Sequence, residues 1–431
     1  MTVFHSDRHS LPSTRRRFLT AALVPLGSVI VSSCGGGGSS AAASPVIGAS
    51  DSQVAVRSMP QTALTSPSLP GVTESSRPMP QWAAGLPLWQ WYEIPNTALS
   101  SVDPAVPSLG IVGPRAKIDA WCGATLKRTG SVYMLGAAGG HADYAGNEVD
   151  ALVLSDAVPQ WSQLRAATPS NQIVNDSQYY LDGRPSSAHT YCATQFIDSL
   201  NRMVVFGSRG VFAAPGLFPA APANYPFVGN QRSSSFNMAI GDWDSPDYIA
   251  LFPEPSEEWG ALCVKHPGTD DVYYSRGSGW YRWTRLTNTW SRLSGETKSE
   301  WYVGAAIDPL RSRMLIVGGG LVPEVRKLDG SPISVVFGGL GAGVLRLVDS
   351  PGVSYDAALD RFIVVFNSGP FIKILLVNPV TWEVVDPVMT GVAPAARLNG
   401  IHNSAQYVPE LKGMVVANRH GGNVLFFRTS S

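Results

Sequence analysis

From about residue 82 onward the apolar residues fall in short runs cut by polar turns. Three stretches share one pattern: residues 198–207 (DSLNRMVVFG), 308–320 (DPLRSRMLIVGGG) and 356–366 (DAALDRFIVVF). Each opens with a turn led by Asp, passes a basic residue, and continues as a β-branched and aromatic run. Weaker copies occupy residues 126–136, 266–274 and 409–417. Runs this short, bounded by Asp, Pro and Gly, predict β-hairpins and not helices. A second pattern follows downstream: an apolar strand, a polar turn, then a Trp. It occurs at Val149 to Leu154 with Trp161, at Trp280 to Trp283 with Trp290, and at Ile372 to Val377 with Trp382.

Together the two patterns supply about four antiparallel strands per repeat. Four-stranded units recurring roughly every 45–70 residues predict an all-β chain folded as a β-propeller. Six hairpin cores are visible. The long interval at 212–255 leaves room for a seventh blade or for an insertion, so the expectation is six or seven blades. Residues 89–95 (WQWYEIP) read as a lone outer strand. It should pair with the last blade, at 414–417 and 423–428, and close the ring, which removes exposed edges.

The first residues change the picture of where the chain works. Thr14-Arg15-Arg16-Arg17-Phe18-Leu19 fits the twin-arginine export pattern, and a short apolar segment from Ala21 to Val31 follows. Val31-Ser32-Ser33-Cys34 then fits a lipobox, with a plain cleavable signal as the alternative. A Gly/Ser run directly after Cys34 is what a tether behind an acylated Cys needs. The expected division is residues 1–34 as signal and lipobox, 35–80 as a disordered Gly/Ser/Ala/Pro tether, and 81–431 as the propeller. The expectation is therefore a periplasmic or cell-surface lipoprotein, held to a membrane through Cys34. Twin-arginine export carries chains that are already folded, which hints at a cofactor or at fast folding.

Charge narrows the partners. There are 32 basic and 32 acidic residues, and a balanced chain argues against nucleic acid as a partner. A monomer is expected. After Cys34 the cysteines are Cys122, Cys192 and Cys263. An odd number without close spacing gives neither a disulfide framework nor a zinc site, and their apolar surroundings predict buried thiols.

The glycine clusters Gly139-Gly140, Gly318-Gly319-Gly320 and Gly421-Gly422, set after second strands, and the Trp near fourth strands resemble the kelch and galactose-oxidase-like propellers. The resemblance spans most of residues 82–431, and strict kelch spacing is missing in several copies. It implies the fold and no particular activity.

Propeller geometry turns this into a site prediction. The first strand of a blade lines the axis and the second runs antiparallel to it. The start of strand one and the end of strand two therefore share one mouth. Starts of strand one carry Asp119, Trp121, His189, Tyr191, Glu258, Trp259, Glu300, Trp301, Tyr302, His402 and Asn403. Ends of strand two carry His141, Arg209, Arg276, Arg419 and His420. The segment DGRPSSAHTY at 182–191 adds Arg184. Of the five histidines beyond the leader, only His266 falls elsewhere. Glu258 and Glu300 are read as partners for the arginines. In GAAGGHADYAGNEV, residues 136–149, His141 and Tyr144 are the candidates for chemistry, and Asn147 and Glu148 are read as turn and loop anchors.

A mouth with His, Tyr and Arg and no evident nucleophile points first to β-elimination at a uronate of an acidic polysaccharide. That reaction needs a cation over the carboxylate, a base for the C5 proton and an acid for the leaving oxygen. Arg209, Arg276 or Arg419 would neutralise, His141 or His189 would be the base, and Tyr144 or Tyr191 the acid. Arg184, His402, His420, Trp259 and Trp301 would bind the sugar chain. No cofactor is required. Several propeller lyases, ulvan lyases among them, have a similar site composition. A non-catalytic glycan-binding lipoprotein is the alternative, with Trp and Tyr near the mouth stacking on sugar faces. A copper-radical oxidase like galactose oxidase is the second alternative, needing two His, two Tyr and a Cys crosslink. A glycosidase needs two carboxylates facing one sugar and is less favoured.

Overall fold

The computed structural model describes residues 78–104, 109–128, 130–131, 133–137, 143–207, 212–214, 216–227, 232–253, 262–276, 279–293 and 302–431. The twin-arginine segment, Cys34 and nearly all of the tether lie outside these residues. The chain forms six antiparallel sheets of four strands each, a six-bladed β-propeller.

Blade 1 is Ala124–Lys127, Tyr133–Ala137, Val149–Val153 and Trp161–Arg165. Blade 2 is Thr194–Ile197, Arg202–Val205, Ser234–Asn237 and Asp242–Trp243. Blade 3 is Leu262–Lys265, Val272–Arg276, Gly279–Thr284 and Thr289–Arg292. Blade 4 is Val303–Asp308, Arg313–Gly318, Glu324–Lys327 and Pro332–Ile333. Blade 5 is Gly352–Asp356, Arg361–Ser368, Phe371–Val377 and Val384–Val385. Blade 6 is Ala405–Val408, Gly413–Val416, Leu425–Arg428 and, as its outer strand, Tyr92–Glu93. The pairs Tyr92 with Phe426 and Glu93 with Leu425 close the ring as the sequence predicts. The interval at 212–255 holds an insertion and the outer half of blade 2, and the described residues contain no seventh blade.

Why these runs lack strict apolar–polar alternation follows from the packing. Inner strands of successive blades lie side by side around the whole ring. Both faces of each blade are therefore covered. In blade 5, Phe362, Val364 and Phe366 pack toward Leu315 and Val317 of blade 4, while Ile363 and Val365 pack toward Met414 and Val416 of blade 6. The remaining interfaces have their own apolar clusters, such as Leu135, Val149 and Phe196 between blades 1 and 2. A strand buried on both faces reads as a continuous apolar run.

The hairpin turns repeat in detail. A left-handed residue stands at or just before strand two in each blade: Gly130, Asn201, Asp270, Ser312, Asp360 and Lys412. Asp308 and Asp356 accept from backbone N–H groups two and three residues ahead. That is the short-range bonding that makes Asp a turn former. The Trp residues of the second pattern brace the outside. Trp161 donates to the Thr97 carbonyl at 2.9 Å and Trp290 to the Ala250 carbonyl at 3.1 Å.

Candidate functional site

The turns that lead into strand one carry the site. Tyr191, Tyr302, Ser350 and His402 stand at corresponding places in four blades, all with left-handed backbone, at φ of 46°, 68°, 47° and 48°. Such conformations cost non-glycine residues on the order of 1 kcal/mol each and persist where surrounding bonds fix them. Here neighbouring turns do so. The Tyr191 N–H donates to the Trp121 carbonyl at 2.8 Å, Ser350 N–H to Tyr302 at 3.0 Å, and Ile401 N–H to Ser350 at 2.7 Å.

These turns aim their rings at one another. The Tyr191 ring lies 5.3 Å from His402, 6.1 Å from Tyr302 and 6.1 Å from His189, and His189 lies 5.0 Å from Trp121. Tyr191, Tyr302 and His402 come from blades 2, 4 and 6, so their rings meet over the axis. His189 Nε2 lies 2.6 Å from Asp143 Oδ2. The His189 side chain is 5% exposed and that of Asp143 26%, so the carboxylate is the open side of the pair. Burial, followed by Tyr302, Cys122 and Asp143, pushes the Tyr191 phenol well above its ordinary range. It stays a proton donor.

His402 is fully buried, with Nε2 2.9 Å from the Asn399 carbonyl. Burial, reinforced by the Arg397 guanidinium, holds its pKa down to about 3. Its folded pKa lies below the unfolded value, so the unfolded chain binds more protons between about pH 6.5 and 3. The resulting stability is complete above pH 6.5 and is lost as pH falls toward 3, a loss on the order of 4 kcal/mol. We expect His402→Gln to flatten the decline of the urea midpoint across this window relative to wild type.

A second, buried cluster holds the loop that carries Asp143. Lys117 lies 3.0 Å from Asp150, 3.3 Å from Glu148 and 3.4 Å from Asp103. Glu148 accepts the Tyr144 phenol at 2.7 Å. The next residue back in the chain is Asp143. The buried ion cluster thus anchors the loop that presents Asp143 to His189. Asn147 fixes the same loop, exchanging bonds with Thr168 and donating to the Pro185 carbonyl. Asn147 and Glu148 are loop anchors, as the sequence suggests.

Arg397 completes the mouth. Its guanidinium is buried and donates to the carbonyls of Ile118, Gly400 and Cys122, the last at 2.8 Å. Asn403, at the same mouth, donates to the carbonyls of Cys192 at 2.7 Å and Thr194 at 3.1 Å.

Of the sequence candidates, the structure gathers His189, Tyr191 and His402. Tyr144 is wholly buried and bonded to Glu148, which makes it a support for the loop. His420 belongs to the ion cluster, with Nε2 2.9 Å from Asp103, and Arg419 is exposed beside it. Arg184 lies away from the rings. It faces Asp182 at 3.6 Å and Asp242 of blade 2's outer strand at 3.8 Å, because the long link between blades 1 and 2 starts at an outer strand and reaches the axis only at its end. His141, Arg209, Glu258, Trp259, Glu300 and Trp301 lie outside the described residues, as does the side chain of Arg276. Cys122, Cys192 and Cys263 are buried free thiols.

Asp143, Lys117 and Arg397 are the residues that reading strand ends missed. Asp143 stands two residues after His141 in a stretch already singled out, and Arg397 sits in the link entering blade 6. Extending the search from strand ends to whole links would have found both. Among the described residues no group of His, Cys, Asp and Glu is placed to hold a metal ion. No family model matches the chain, and a search of curated proteins finds no match.

Proposed function

We propose that this propeller acts on an acidic polysaccharide by β-elimination at a uronate, as an exported protein tethered through a lipidated Cys34. The observation that supports the reading is the His189–Asp143 pair set against a Tyr191 phenol that keeps its proton. A carboxylate on one imidazole nitrogen orients the ring and stabilises the cation formed when the other nitrogen takes a proton. In the proposed step His189 takes the C5 proton. The C–H electron pair forms the C4–C5 double bond, the C4–O bond breaks, and the departing oxygen takes the proton of Tyr191. Arg209 and Arg276, which the sequence assigns to the ends of second strands, would neutralise the uronate carboxylate.

The purified protein should generate product absorbing at the ultraviolet edge from at least one uronate polymer. His189→Ala should lower the rate by about 10³-fold, in the range of general-base catalysis. Tyr191→Phe should lower kcat with little change in KM. Absence of unsaturated product across alginate, pectate, glucuronan, ulvan and glycosaminoglycans sinks the reading.

A second reading draws on the same rings. Two imidazoles, His189 and His402, and two phenols, Tyr191 and Tyr302, meet there, and Cys122 lies close enough to influence Tyr191. That residue set would suit a copper-radical oxidase. However, Asp143 and the Asn399 carbonyl already engage the Nε2 of the two imidazoles, so a metal would need the other nitrogen of each. Stoichiometric copper in the purified protein would decide for this reading.

A further inference from the structure

The axis is open from the other end. A cavity of about 840 Å³ runs up the channel from the mouth where the first strands end. Gln195, Asn403 and Gln406 line it on the side of the aromatic rings, and Arg128, Lys265 and Lys412 line it at the rim. The three amides are oriented by the backbone around them. Gln195 donates its amide N–H groups to the carbonyls of Cys192 at 3.0 Å and Cys263 at 3.1 Å. Asn403 spends its own on Cys192 and Thr194, and Gln406 donates to the Asn403 carbonyl at 2.8 Å. With each NH₂ so placed, the oxygens Gln195 Oε1, Asn403 Oδ1 and Gln406 Oε1 receive no hydrogen bond from any described residue. Acceptors that face an open channel are satisfied by water or by ligand.

Each cation of the rim is already engaged within the protein. Arg128 pairs with Glu410 at 2.9 Å, Lys265 with Asp198 at 2.5 Å and Asp270 at 3.2 Å, and Lys412 donates to the Ser431 carbonyl at 2.7 Å. Tyr355 and Tyr407 also line the channel, and their hydroxyls are taken by Asp360 and Asp356. Acceptor carbonyls repel an anion. The volume falls in the range of small-molecule sites and far exceeds that of a bare cation. A ligand rich in hydroxyl donors and without charge meets every condition.

We infer that the axial channel is a binding site for a neutral sugar, entered from the mouth opposite the His189–Asp143 pair and independent of any reaction there. Isothermal titration of the purified protein with glucose, galactose, lactose and maltose tests this. At least one should bind. Ala305→Phe, which fills the channel without removing a hydrogen bond, should weaken binding at least about tenfold, and His189→Ala should leave it unchanged. If Ala305→Phe does not fold, Gln406→Met, which removes the acceptor together with the donor to the Asn403 carbonyl at similar volume, should weaken binding by about tenfold. Absence of binding for all four sugars, binding that persists in the channel variant, or binding of glucosamine or glucuronate alone would overturn the assignment. A protein without lyase activity that still binds sugar in the channel would separate the two proposals.

Discussion

Arg397→Met should lower the stability of the propeller by on the order of 4 kcal/mol, read as a shift of the urea midpoint at constant slope. The side chain is buried, and burial lowers its pKa to about 10, so it stays charged at neutral pH. Its charge is spread over the carbonyls of Ile118, Cys122 and Gly400, which belong to the entry turns of blades 1 and 6. The backbone of Arg397 is itself held by Asn367, which accepts from its N–H at 3.0 Å and donates to its carbonyl at 2.8 Å. Met keeps the length and apolar stem but removes the guanidinium donor from those carbonyls, of which that of Cys122 also accepts the Ser404 hydroxyl at 3.1 Å. An orphaned buried carbonyl costs more than the bond it formerly made contributes. Arg397→Lys should recover less than half of the loss, because one ammonium cannot reproduce a planar fork that reaches two turns at once. A midpoint unchanged in Arg397→Met would mean that these turns are held by something else.

How far the sequence carried the fold can be traced to particular residues. The turns were legible because each is local. An Asp with its own backbone two residues on, then a left-handed residue, fits inside a window of a few positions, as in Asp356 to Asp360. Blade number was open until the interval at 212–255 was placed. Nothing local tells an inserted loop from a short outer strand such as Asp242–Trp243. The mouth was partly legible. His189, Tyr191 and His402 were found because strand order predicts where strand one begins. Their partners were not, since Asp143 to His189 spans 46 positions and Arg397 to Ile118 spans 279. Pairings of that separation depend on the assembled ring. Chemistry was least legible, for a related reason. Tyr144 and Tyr191 look alike in sequence, and only burial against Glu148 in one case and against other mouth rings in the other separates a loop anchor from a member of the mouth.

Lys117→Met should be destabilising by about 3–5 kcal/mol near pH 8, the range for removing one partner from a buried ionic cluster. The Lys117 side chain is 3% exposed, and those of Glu148 and Asp150 are 0% and 3% exposed. Burial lowers the Lys117 pKa, but Asp150, Glu148 and Asp103 raise it by more, so the ammonium is held charged. Burial pushes Asp150 up to about 6 even with that ammonium beside it. Without the cation, the buried Asp150 carboxylate faces Glu148 and Asp103 uncompensated, and its folded pKa rises further. The folded state then binds more protons than the unfolded state, so its stability falls as pH rises through the Asp150 value. The deficit of Lys117→Met should therefore be largest at pH 8 and shrink steadily toward pH 5, the reverse of the acid loss expected from His402. A deficit independent of pH would show that Lys117 acts by packing alone. The same variant reaches the site through a short path, because Glu148 holds Tyr144 and the adjacent Asp143 holds His189. Under the elimination reading, loosening Glu148 should reduce kcat more than KM, and a lower pH that restores the loop should restore part of the rate lost. A stability effect that leaves kcat untouched would uncouple the buried cluster from the His189–Asp143 pair.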